Sequence, residues 1–272
     1  YSQRPVISLF LFYCTFYLIY PFSGIRQSIC ISIFVFTLTP LLHKKKYVKY
    51  YLISILLFTI HYSSVVLFLI PLVNLVKTYK PFQVYLVSIL ALGVGIALYQ
   101  VLFSFFSAID VIASKIEAYN TNGTSLDILS LLLRIVIFIP VMQTYKIYER
   151  GSIRDLFLKV YILGFFLYLI FMSSSLISSR INVYMRYYEV IILVDFLVLV
   201  FKKYSNRILS FSYIFIIVTV LYVKNINSFI EQGPYYNYIN FFNYPYVTIL
   251  NKKKITEVRY IQPYFQKFVN YD

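Results

Sequence analysis

Four arginines in this chain of 272 residues stand inside, or at the margin of, stretches that are otherwise aliphatic and aromatic: Arg26, Arg134, Arg180 and Arg186. A guanidinium is planar, stays charged, and offers five N–H donors in a rigid fork that matches phosphate and diphosphate oxygens. Four more residues could complete such a site. His61 and Glu189 could exchange a proton with a ligand, and Gln27 and Tyr184 could hydrogen-bond to it. Each has a purely structural alternative. Arg26 and Arg180 could snorkel to an interface, Arg186 could pair with Glu189 three residues on, His61 could be a structural hydrogen-bonding residue, and Gln27 and Tyr184 could pack between helices.

These side chains are held by an apolar chain. Hydrophobic residues make up 60% of it and charged residues only 13%, well below the quarter usual in a soluble domain. Apolar runs at 5–22, 24–42, 50–76, 81–106, 128–148, 156–178, 181–201 and 208–224 are mostly near the ~20 residues that cross a bilayer. The reading is an all-α, polytopic transmembrane bundle over residues 1–224, followed by an extracytoplasmic amphipathic tail over 225–272. The net charge of +15 does not indicate nucleic acid. Its lysines fall in short clusters between runs (Lys44, Lys45, Lys46 and Lys49; Lys77 and Lys80; Lys202 and Lys203), the distribution of cytoplasmic loops. Cys14 and Cys30 lie inside apolar runs and read as small core residues.

The run from Tyr50 to Val76 decides the topology. It is long for one span and is interrupted by His61-Tyr62-Ser63-Ser64. A broken or re-entrant pair of half-helices around His61 puts the lysine clusters on one side and the acidic segment 107–127 on the other. Arg26 and Arg180 then sit at outer helix ends. Arg186 lies about 9 Å deeper than Arg180 if one helix runs from 180 to 201, and Arg134 about 10 Å from Asp127. At such depth an arginine costs on the order of 2.5–3.5 kcal/mol, which points to a cavity-facing role.

The stretch GIRQSICISIFVF, the basic turn HKKKYVKYY and the segment LLFTIHYSSVVLFLIP together resemble the EpsG family of Wzy-like exopolysaccharide and capsular polysaccharide polymerases. SSRINVYMRYY and FFNYPYVTIL resemble it more weakly. The family's Asp/Tyr-rich external loop is not found ahead of this point, so the chain reads as truncated at its N-terminus. The resemblance implies a multi-pass glycosyltransferase of the bacterial plasma membrane. It would join oligosaccharide repeat units carried on polyprenyl diphosphate at the outer face, with polyprenyl diphosphate as leaving group. Arg26, His61, Arg180 and Arg186 are then the catalytic candidates, and Gln27, Arg134, Tyr184 and Glu189 the substrate-binding ones. No cofactor or metal is expected, since no Asp-x-Asp occurs. The expected partners are the lipid-linked oligosaccharides, the bilayer and other polysaccharide export proteins, with no nucleic acid. A lipid-linked oligosaccharide flippase and a membrane polysaccharide O-acyltransferase are the competing classes.

Overall fold

Proline positions, more than helix propensity, shape the first half of the chain. The computed structural model describes residues 2–17, 24–76, 79–97, 128–172, 175–203 and 207–230, and these contain helices and no strand. Helix α1 (Pro5–Phe12) starts on a proline and opens into a π-turn at Tyr13–Tyr17. Helix α2 (Ile25–Ile33), a second π-turn (Phe34–Leu38) and α3 (Thr39–His43) form one rod of 19 residues, about 28 Å at 1.5 Å per residue. Pro40 has no N–H to give, and its ring crowds the carbonyl four residues back. The preceding turn widens accordingly, and Thr39 Oγ1 donates to the Phe34 carbonyl at 2.9 Å.

The expected break at His61 is present. Helix α4 (Tyr47–Ile60) ends there on a single extended residue, and the chain returns as two 3₁₀ segments, Tyr62–Phe68 and Ile70–Leu75. The return arm is tied to the outgoing one along its length. Tyr50 Oη donates to the Leu67 carbonyl at 2.8 Å, the rings of Tyr51 and Phe68 stack with centroids 6.2 Å apart, and Asn74 Nδ2 donates to Tyr47 Oη at 3.1 Å. Asn74 also reaches the Leu42 carbonyl at 3.2 Å. The chain therefore re-emerges beside the basic turn it left.

Five more helices follow among the described residues besides α5 (Pro81–Ala97): α6 (Ile128–Gln143), α7 (Ile153–Ile170), α8 (Ser175–Arg186), α9 (Glu189–Lys203) and α10 (Arg207–Ile230). Helix α8 packs closely on α7 because Gly164 has no side chain. A Cβ there would lie 2.6 Å from Met185 Cβ and 2.9 Å from Asn182 Oδ1. Tyr79 meets Tyr145 with ring centroids 5.0 Å apart, so Lys80 and the Lys146 turn join the Lys44–Lys46 turn at one end of the molecule. His61 lies at the other.

Two expectations change. Among the described residues only Ile25–His43 is long and apolar enough to cross a membrane by itself. The hairpin arms are half-length by construction, and α7 carries Arg154, Asp155 and Lys159. The helix expected from 180 to 201 is also two helices. It breaks at Tyr187-Tyr188, so Arg186 ends α8 and Glu189 starts α9. A cation at a helix C-terminus and an anion at an N-terminus are each favoured by the helix dipole, which suits a joint at this point. The segment 107–127 lies outside the described residues, as does the tail beyond Ile230.

Candidate functional site

His61 is held by its own turn. Its backbone N–H still donates to the Leu57 carbonyl at 3.0 Å, while its Nδ1 caps the first 3₁₀ turn, accepting from Ser63 N at 3.3 Å. Ser63 Oγ sits 2.7 Å from the same Nδ1. Three separated segments meet on this hydroxyl. Gln27 Nε2, one turn into α2 and buried, donates to Ser63 Oγ at 3.2 Å and to the Arg180 carbonyl at 3.0 Å. Tyr184 Oη, fully buried on α8, lies 3.2 Å from Ser63 Oγ. Gln27 thereby bridges the start of α2, the hairpin tip and α8.

The two outer arginines stand beside this network. Arg26 adjoins Gln27 at the start of α2, and Arg180 is one turn from Tyr184 on the same face of α8. Both are exposed. Both charges act on the His61 ring, and among the described residues neither has a carboxylate partner. Gly24 gives α2 no capping side chain, so Arg26 and the first-turn N–H groups present donors together.

Arg134, Arg186 and Glu189 form a second cluster. Arg186 is two residues beyond Tyr184, a rotation of about 200°, and so lies on the opposite side of α8. Its Nε donates to Glu189 Oε1 at 3.2 Å, and Arg134 Nη1 reaches the same oxygen at 3.3 Å. Arg186 also lies over the Phe16 ring at 5.0 Å and Arg134 over the Tyr168 ring at 5.6 Å. All three side chains are at most 15% exposed. One carboxylate is thus shared by two guanidiniums in the interior, with an aromatic ring beside each guanidinium.

Five of the residues singled out from the sequence therefore converge at the hairpin tip: Arg26, Gln27, His61, Arg180 and Tyr184. The other three converge elsewhere. Ser63, at the centre of the first network, was not singled out. Its only signal was its place in the polar tetrad after His61.

A family model described as the EpsG family matches residues 1–247. The chain belongs to the EpsG family. No curated protein and no solved structure matches it. EpsG membership is consistent with an exopolysaccharide-related membrane protein. Cys30, buried with Cys14 as a free thiol, contributes packing beside the EpsG hairpin, its Sγ 3.7 Å from the Leu57 carbonyl.

Proposed function

We propose that this chain polymerises polyprenyl-diphosphate-linked oligosaccharide repeat units at the outer face of a bacterial plasma membrane. The observation that carries this reading is the convergence of two exposed guanidiniums, Arg26 and Arg180, on the His61 tip at the end opposite the lysine-bearing turns. Lysine-rich turns mark the cytoplasmic side, so the tip faces outward. Large side chains exposed along the helices, among them Phe36, Val48, Phe82 and Ile89, suit a lipid-facing belt around a polytopic bundle.

In the reaction, an acceptor hydroxyl oxygen forms a bond to the anomeric carbon of the donor while the bond from that carbon to the diphosphate oxygen breaks. The electron pair leaves with polyprenyl diphosphate, and the hydroxyl proton is released. Negative charge grows on the diphosphate as the bond breaks. Arg26 and Arg180 act there, stabilising the departing oxygens more strongly in the transition state than in the bound substrate. Gln27 and Tyr184 position rather than react, since both are committed to Ser63. The Arg134–Glu189–Arg186 cluster holds α6, α8 and α9 together behind the site.

Deletion followed by analysis of lipid-linked intermediates tests the assignment. Accumulation of single repeat units on lipid at the outer face is expected. Accumulation at the inner face would instead indicate a flippase, and full-length polymer lacking acyl groups an O-acyltransferase. Either result overturns the proposal.

A further inference from the structure

We infer that His61 acts as a hydrogen-bond donor through Nε2–H, fixed in that form by Ser63, and not as the base that takes the acceptor's proton. The inference rests on the polymerase reading for its substrate, but its geometry stands alone.

The proton positions follow from groups that can only give or only receive. The Arg180 carbonyl can only accept, so the Gln27 atom 3.0 Å from it is the amide nitrogen. That nitrogen is also 3.2 Å from Ser63 Oγ and must donate to it. The Ser63 backbone N–H, which cannot accept, donates to His61 Nδ1 at 3.3 Å, so that nitrogen keeps its lone pair. The Ser63 hydroxyl, 2.7 Å from the same nitrogen, therefore donates to it as well. With its hydrogen so used, Ser63 Oγ accepts from Tyr184 Oη at 3.2 Å. Two donors on Nδ1 require a lone pair there, so the neutral ring carries its hydrogen on Nε2. Every hydrogen-bonding position of Ser63 Oγ is used, and Nε2–H is the one left for a ligand.

A base needs an open lone pair. Nδ1 is covered by Ser63 and Nε2 already holds a proton, whereas a donor beside Arg26 and Arg180 adds a third donor side chain for the anionic leaving group. His61 keeps its proton through the reaction. The electron pair of the broken C–O bond goes to the diphosphate, and the acceptor proton, acidic once the new C–O bond has formed, passes to water. Ser63 is a positioning residue, acting through His61.

The chain has two histidines, His43 and His61, so a His43→Gln protein labelled with ¹⁵N-histidine in nanodiscs reports a single imidazole. At a pH where the ring is neutral, the expected spectrum has an unprotonated Nδ1 and a protonated Nε2. In Ser63→Ala the population shifts toward the other tautomer, and Ser63→Thr restores it. In polymerisation of lipid-linked repeat units, normalised to protein abundance, His61→Gln retains a donor near the ε position and stays within about tenfold of wild type. His61→Glu, which offers a base but no donor, falls by about a hundredfold or more, the loss typical of a missing transition-state donor. A protonated Nδ1 in the spectrum, or His61→Glu outperforming His61→Gln, overturns the inference. Failure of the wild-type protein to extend lipid-linked repeat units would instead overturn the polymerase reading, leaving the tautomer measurement to decide the geometry.

Discussion

The two pairs of arginines in this molecule have the same chemistry and opposite surroundings. Arg26 and Arg180 are exposed at the hairpin tip with no carboxylate partner among the described residues. Arg134 and Arg186 are taken out of solvent, share Glu189 and lie over aromatic rings. The buried pair spends its hydrogen-bonding capacity on the protein, and removing Glu189 would leave two guanidiniums stranded in the interior. On the reading proposed above, the outer pair holds its capacity for a ligand. That reading ranks the arginines by compensation, where the sequence ranks them by depth within an apolar run.

Removing the shared carboxylate should have the largest effect. Glu189→Ala leaves two buried guanidiniums without an anion, a loss of about 3–5 kcal/mol. Membrane abundance is expected to fall below about a tenth of wild type by immunoblot. Normal abundance would mean that Arg134 and Arg186 are compensated by something other than Glu189, and the contrast between the pairs would collapse. Next in size, Arg26→Ala and Arg180→Ala should keep near-normal abundance and lower polymerisation by about a hundredfold or more, in keeping with loss of one preorganised donor. A fall in abundance matching the fall in activity would assign the outer pair a structural role as well.

A subtler variant sharpens the comparison. Arg186→Lys keeps the charge that balances Glu189 but loses the fork, so abundance should drop modestly and polymer per molecule should change less than in Arg180→Lys. The opposite order would return Arg186 to the reacting site. Smallest of all, Tyr184→Phe removes one hydrogen bond to Ser63 while Gln27 still donates to it. With about 0.5–1.5 kcal/mol at stake, activity should fall by no more than about tenfold with unchanged abundance.

Much of this arrangement could be read from the sequence wherever a polar residue interrupts an apolar run. Gly24-Ile25-Arg26-Gln27 marks a helix start, and the tetrad from His61 to Ser64 marks the reversal, because backbone and side-chain polar groups at membrane depth need local partners. Two of the lysine clusters, at Lys44–Lys46 and at Lys80, mark the common end of their turns. Pairings across long separations were not legible. Arg134 reaches Glu189 over 55 residues and Gln27 reaches the Arg180 carbonyl over 153, and nothing local in either segment specifies the other. The break at Tyr187-Tyr188 is not legible either, since both residues are apolar enough to continue a run. The charges of Arg186 and Glu189 on either side suit a joint there. Gly164 reads as one weak helix former, and its part in seating α8 emerges only when Met185 and Asn182 are placed against it.

The π-turn in α1 bears on the order in which the molecule is made. Widening a helix by one residue leaves carbonyls without their usual partner, and those of Cys14 and Thr15 are each met at 3.1 Å by the amide nitrogen of Asn225 in α10. These bonds span 211 and 210 residues. At about 5–20 residues per second, a ribosome that has just produced α1 needs on the order of 10–40 s more to produce its partner. During that interval α1 must wait with its turn unfilled, so its final seating is a late event of biogenesis, and a nascent chain halted before Asn225 would hold α1 loosely.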